Sequence, residues 1–424
     1  MKVIISFLLL LTLSFFNPNP IKQAIKSSIS NDMPHLVEFY KTRHQHPEIS
    51  LQEKETAAAL TKELKAVGFK VTENFGGYGI VGVYKNGRGP TILYRTDMDA
   101  LPMKEKTELE YQSTDEGAMH SCGHDMHMTT WVGVARTMVA MKKQWKGTLV
   151  LIGQPAEEIG AGAKMMIDAG LYEKFGVPDY GLGLHSNPVL EAGTIGIAPG
   201  FTMANTESIS INVYGQGAHG ASPHMSIDPI VIASDIVMDL QTIVSRNIKP
   251  TESAVITVGS FQGGTAHNII PDHVELKLTV RTYQEEIRLQ VHDRIKTIAR
   301  GAGIQAGLPE DKLPEVIIPD VFTPANYNNP ALVAKIKTSA AEAIGADNVL
   351  DYEPLMVGED FARYGSTEHK VPTTLFWLGT ITHEKIESGD TPGLHSPFYY
   401  PEIEKSIETG VAVVTSSMIG LFNE

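Results

Sequence analysis

TILYRTDMDALP, residues 91–102, opens with a short apolar run, Thr91 to Tyr94, and carries two aspartates, Asp97 and Asp99, just beyond it. An apolar run of that length bounded by polar residues reads as a buried strand. The layout recurs: Thr148 to Ile152 (TLVLI) leads into QPAEE with Glu157 and Glu158, and Tyr180 to Leu184 leads into His185. Helix-length segments, Thr129 to Lys142 and Gly162 to Ala169, separate these runs. Such alternation predicts an α/β sheet domain with helices on both faces. In open sheets of this kind ligands bind outside the carboxyl ends of the strands, so polar residues that follow different strands converge although they are distant in the chain.

Residues 207–317 read differently. Ser208 to Tyr214 alternates, Ile227 to Ser245 has helical spacing, strands follow at Ala254 to Phe261 and His273 to Tyr283, and a helix (Glu285 to Arg300) and a strand near Val316 close the series. This β-α-β-β-α-β order is a self-contained α+β unit. The first pattern resumes near residue 320, with a helix from Ala331 to Ile344 and a strand from Thr373 to Leu378. The expected plan is two domains. One is a catalytic α/β sheet domain in two parts, residues 30–200 and 318–424; the other is the α+β unit inserted between them over residues 201–317. A chain of 424 residues is long enough for two cores.

A formal charge of −14 repels polyanions and argues against nucleic acid or an acidic membrane face as partner, leaving small molecules or uncharged partners. The N-terminus has Lys2, an apolar run from Val3 to Phe16, then Asn and Pro. That is the layout of an export signal over residues 1–20, and the run is too short to span a bilayer. The competing reading is a buried N-terminal segment of the fold. The expectation is a mature protein that is periplasmic or secreted and not held in a membrane. Cys122 is the single cysteine, so no internal disulfide forms.

MHSCGHDMH, residues 119–127, gathers three histidines, Cys122 and Asp125. Singly, a histidine after a strand is an ordinary loop residue and paired glutamates are ordinarily solvated. Taken with Asp97, Asp99, Glu157, Glu158, His185 and His395, these residues share a position after strands, which chance does not require. Thiolate, imidazole and carboxylate together suit zinc, manganese, cobalt or nickel rather than calcium or magnesium. If Glu158 binds metal, its neighbour Glu157 can serve as the base that a metal-assisted hydrolysis needs. The opposite reading makes Cys122 a nucleophile activated by His124, and leaves Glu157, Glu158, His185 and His395 without work.

Beyond these readings, RHQHPEISLQEKETA, TDMDALP, MHSCGHDMH, QPAEE, GLH, GAHGASPHMSIDP, AHNIIPD, GEDFARY and LHSPFYY follow one another as in the aminoacylase-like metallo-amidohydrolases. From about residue 36 to the C-terminus the chain resembles that family, which includes hippurate hydrolases, auxin-conjugate hydrolases and N-acetyl-diaminopimelate deacetylases. The resemblance implies a catalytic domain that binds two divalent ions and a ferredoxin-like lid that in many relatives also forms a homodimer. Carried over residue by residue, it implies Cys122, His124, Glu158, His185 and His395 as metal ligands and Glu157 as general base. It further implies His219 as a lid histidine that stabilises the oxyanion, sometimes in the partner subunit's site, and Asn268 as a substrate-binding residue. In more distant peptidase relatives the first aspartate of DMD is a metal-binding histidine. Asp97 holds that place here, and Asp99 is expected to orient a ligand. His224 is expected to make a contact within the lid, and His120 and His127 to be structural or supporting.

The expected activity is hydrolysis of N-acyl amino acids, releasing a carboxylic acid and an amino acid. The alternatives are a metal-dependent carboxypeptidase or dipeptidase, and a silent binder of amino-acid conjugates. Retention of both the ligand set and Glu157 argues against the last.

Overall fold

The structure, a computed structural model, describes residues 20–424, so the apolar run from Val3 to Phe16 lies outside the described residues. The chain begins with α1 (Pro20–Gln45), which starts ahead of the alternation expected from residue 30 and buries Ile25 and Ile29 in the main core. It continues with α2 (Lys54–Ala66), β1 (Lys70–Thr72), β2 (Ile80–Asn86), β3 (Thr91–Asp97), α3 (His124–Ala140), β4 (Gly147–Gln154), β5 (Tyr180–Glu191) and β6 (Ile195–Gly196). A second unit then runs β7 (Asn205–Tyr214), α4 (Pro229–Thr242), β8 (Ala254–Gly263), β9 (His273–Thr282), α5 (Glu285–Gln305) and β10 (Glu315–Ile317). The chain returns through α6 (Pro330–Ile344), β11 (Val349–Leu350), β12 (Thr373–Ile381) and α7 (Ile403–Phe422).

Eight strands outside the second unit form one sheet in the order β1-β2-β4-β3-β5-β12-β6-β11, and two more, Gly200–Met203 and Asn326–Asn328, pair with each other. Its centre, β4-β3-β5-β12, is parallel. Because β4 and β5 flank β3 on opposite sides, a crevice opens beyond its carboxyl end, where a parallel sheet places ligands. One face carries α1, α2, α3, α6 and α7 over an aliphatic and aromatic core; the other carries the cluster around Met166, Phe361 and Trp377. β7, β8, β9 and β10 form an antiparallel sheet in the order β8-β9-β7-β10, and Ile209, Ile211, Leu276 and Val280 pack it against α4 and α5. The alternating burial along β7 and β9 is the period-two pattern of a sheet with one covered face.

Local chemistry fixes several boundaries. Asp228 caps α4 by accepting from the Ile230 N–H, and Asn329 caps α6 by accepting from the Leu332 N–H, each with proline in the first turn. The start of α3 differs from the expected Thr129. The helix begins at His124 because Gly123 sits in the left-handed region at φ 83°. A Cβ at Gly123 would meet Ser186 Oγ at 2.8 Å, so glycine is needed there for close approach as well as for φ. Among the described residues no helix is long and apolar enough to cross a membrane.

Candidate metal centre

Three turns build the site. The first follows β3. Asp97 gives one oxygen to His127 Nδ1 (2.7 Å) and the other to Arg95 (2.6 Å). Asp99 accepts from Ser50 Oγ (2.6 Å) and from the backbone N–H groups of Glu157 and Glu158 (3.1 and 3.0 Å). The second turn, after β4, is therefore tied to the first through Asp99. Ala156, held at φ 52°, donates its N–H to buried Glu53 at 2.8 Å. A positive φ on alanine costs on the order of 1 kcal/mol and persists only where its surroundings over-determine it; here two buried carboxylates do so. The third turn opens α3 and brings Cys122 and His124 to the crevice.

The histidines divide by what their rings already do. His127 accepts the Ser186 N–H at Nε2 (2.7 Å), so its proton lies on Nδ1 and goes to Asp97; both nitrogens are engaged. It supports the site and is not a ligand, although its position groups it with Asp97 and His124. His124 donates from Nδ1 to the Asp99 carbonyl (2.8 Å), and His185 donates from Nδ1 to the Ser186 carbonyl (2.9 Å). Each therefore turns an Nε2 lone pair into the crevice, the usual way a protein orients a metal-binding imidazole. His185 Nε2 lies 3.6 Å from Cys122 Sγ. His124 Nε2 lies 3.8 Å from both Glu157 Oε2 and Glu158 Oε1. His395, at φ 62°, brings Nε2 to 3.5 Å from Glu158 Oε2 and is held by its N–H to the Ser121 carbonyl (2.9 Å).

The donor set fits divalent ions. Cys122, His124 and His185 form one group with ligand atoms within 4.8 Å of one another, and Cys122, Glu158 and His395 form a second that shares the thiol. His124 Nε2 and Glu158 Oε1 are buried polar atoms without a hydrogen-bond partner, a costly arrangement unless a cation takes their lone pairs. Burial pushes Glu158 up to about 7, with His124 pulling against it. Burial and the Glu158 charge raise the Cys122 thiol. A cation among these groups reverses both tendencies by favouring thiolate and carboxylate. Glu157 is raised by burial first, then by Glu359 and Asp360.

Those two acids belong to GEDFARY, residues 358–364, whose residue types and spacing by themselves point to no role. Buried Arg95 donates to Glu359 (2.8 and 3.3 Å), Asp360 (3.1 Å), Asp97 and Gln154. One guanidinium thus ties the turn after β3 to the segment before β12. RHQHPE supplies a second unassigned support: His44 bonds Asp125 (2.6 Å) and Glu105 (3.2 Å), with all three side chains almost fully buried. His120 lies close by, both ring nitrogens buried and without protein partners. No spacing rule links Arg95 to Glu359, which are 264 residues apart.

All the ligand candidates except the fully buried His124 open onto a cleft of about 630 Å³ between the large sheet and the second unit. Glu157, Glu158, Cys122, His185 and His395 contribute to its lining from the large-sheet domain, and Thr206, Ser208 and Arg281 from β7 and β9. Among the described residues lining it, Arg281 is the only lysine or arginine; its Nη1 donates to the Met356 carbonyl (2.6 Å). His219 and Asn268 do not line the cleft. Both are exposed at a two-stranded ladder in which His219 pairs with Ile269 and the Gly220 N–H bonds the Asn268 carbonyl. His224 is exposed on the turn Pro223–Met225.

Residues 93–419 match the model of peptidase family M20/M25/M40. The chain is 40% identical over 329 residues to the hippurate hydrolase of Campylobacter jejuni, covering 76% of this chain and 84% of that one. It is 37% identical over 350 residues to the N-acetyl-L-cysteine deacetylase of Bacillus subtilis, covering 81% and 80%. Among solved structures, the Bacillus subtilis YXEP protein, described as a dinuclear metal binding peptidase from the M20 family, superposes with a TM-score of 0.77 at 29% identity, covering 94% and 99%.

Proposed function

For a chain that belongs to peptidase family M20/M25/M40, we propose hydrolysis of N-acyl amino acids by a two-metal amidohydrolase. The observation that carries this reading is the pair of donor groups sharing Cys122, with Glu157 beside them at the cleft wall. Cys122, His124, Glu158, His185 and His395 would hold the ions, leaving Glu157 for proton transfer. Bound divalent ions supply Lewis-acid polarisation of an amide carbonyl and acidify water at neutral pH. Zinc, manganese, cobalt and nickel all suit the donors.

Glu157 takes the proton of the attacking water and returns it to the departing nitrogen. Its turn is fixed by Asp99 and Glu53, so the carboxylate is positioned before substrate arrives. Arg281, which lines the same cleft, pairs with the carboxylate of the amino acid, which favours an N-acyl amino acid over a neutral amide. His219 stabilises the oxyanion and Asn268 binds substrate. Because both stand away from the cleft of their own chain, they serve these roles in a second subunit or after closure of the inserted unit as a lid. The exposed edge strand β8, together with Val231 and Met238 on α4 at 57% and 70% exposure, supports a homodimer through that unit. The charge of −14 and the concave, metal-fitting cleft support a small-molecule substrate rather than nucleic acid or membrane.

Metal-reconstituted protein offered N-acetyl and N-benzoyl amino acids and free dipeptides tests the reading. Hydrolysis of the first two classes is expected; cleavage of dipeptides alone would support the carboxypeptidase or dipeptidase alternative. The apolar run Val3 to Phe16 supports export. Since Ile25 and Ile29 belong to the main core, a mature chain should start before residue 25, as sequencing its N-terminus from the source cell would establish.

A further inference from the structure

Three apolar side chains of the cleft stand in water: Ile159 at 58% exposure, Val321 at 57% and Val357 at 41%. Single exposed aliphatic residues are ordinary, but several in one concave wall beside a set of polar catalytic candidates mark a surface that a ligand covers. The wall is built rather than loose. Thr323 exchanges backbone hydrogen bonds with Thr206 (2.9 and 3.1 Å), the Arg363 guanidinium bonds the Phe322 carbonyl, and Arg288 lies over the Phe322 ring at 4.1 Å. The turn that carries Ile159 abuts this segment, because a Cβ at Gly160 would sit 2.5 Å from Thr323 Oγ1. Ile159 and Val321 therefore stand on two segments locked side by side.

Their place relative to the polar groups gives the wall a direction. Ile159 directly follows Glu158, so it borders the point where the scissile carbonyl lies. Val357 follows Met356, whose carbonyl holds Arg281, so it borders the amino-acid end. With the carboxylate on Arg281 and the carbonyl at the glutamates, the acyl group runs along Ile159 and Val321. Resting on the amidohydrolase reading, we propose that the preferred substrates carry a bulky apolar acyl group, of hexanoyl or benzoyl size rather than acetyl, and that Ile159 and Val321 select it.

Each methylene moved from water onto such a wall is worth about fourfold, so even partial cover of a hexanoyl chain should raise kcat/KM roughly tenfold or more over acetyl. The test compares N-acetyl-, N-butanoyl-, N-hexanoyl- and N-benzoylglycine as substrates of the metal-loaded protein, and their binding to Glu157→Gln protein by calorimetry. A rise with acyl size is expected in both, and Ile159→Asn and Val321→Asn should each shrink the hexanoyl-to-acetyl ratio at least threefold, by roughly the methylene value above. A ratio near one, or one that neither variant changes, overturns the proposal while leaving the amidohydrolase reading intact. Binding that strengthens with acyl size in a wild-type protein that hydrolyses none of the series supports the apolar wall and overturns the amidohydrolase reading instead.

Discussion

His44 is the place to test how the motif RHQHPE supports the centre. Its ring lies between Asp125 at 2.6 Å and Glu105 at 3.2 Å with 1% of the side chain exposed. Burial alone would lower its proton affinity, but the hydrogen bonds and charges of Asp125 and Glu105 outweigh burial and raise it from 6.5 to about 9. The folded chain therefore binds the proton more tightly than the unfolded chain. The contribution is complete below the unfolded value and is lost as pH rises through the folded one. With those two values, proton linkage amounts to about 3 kcal/mol at pH 6.5, about 1.4 at pH 8 and about 0.4 at pH 9. His44→Gln removes the charge and keeps a polar side chain. Urea unfolding of both metal-free proteins from pH 6.5 to 10, followed by tryptophan fluorescence, isolates the effect: Trp131, Trp145 and Trp377 are the only tryptophans and all lie with the large sheet. The wild-type advantage should shrink by about 3 kcal/mol across that range. A difference between the two proteins that stays flat to within about 0.5 kcal/mol would refute a charged His44 in the folded state. A difference that grows with pH would reverse the sign of the argument.

Glu157→Gln should retain metal, since Glu157, although also grouped with His124 and Glu158, stands outside both donor groups that share Cys122, and should lose roughly 10²- to 10⁴-fold in turnover; metal analysis beside kinetics checks it, loss of metal would make Glu157 a ligand, and near-wild-type activity would remove it as the base. Bound metal should protect Cys122 from alkylation, and chelation should abolish activity reversibly; a fully active metal-free protein would restore the nucleophile reading. His219→Ala should lower turnover by roughly 10²- to 10³-fold at unchanged metal content. Mixing it with Glu157→Gln subunits should recover activity if His219 acts in the partner's site, and verified subunit exchange without recovery would assign it to its own chain.

The sequence by itself determined what is local. Apolar runs ending in polar residues placed β3, β4 and β5, and period-two and helical spacing outlined the second unit and placed the start of α6 to within one residue of Pro330. It also brought forward Cys122, His124, Glu157, Glu158, His185 and His395, because thiol, imidazole and carboxylate after strands are unusual enough to be seen without coordinates. The tertiary structure decided whatever depends on closure of the chain in space. Which histidines keep a lone pair is settled by partners in other segments: Ser186 engages His127 and so withdraws it, while the Asp99 carbonyl directs His124 toward the ligands. Arg95, Glu359 and Asp360 share one buried network across more than 260 residues, a distance at which spacing carries no information and only the sheet order brings the groups together. The same holds for His219 and Asn268. Their motifs are legible, but their place outside the cleft follows from how the inserted unit, with its own separate core, is set against the sheet, a relation that no single stretch of chain encodes.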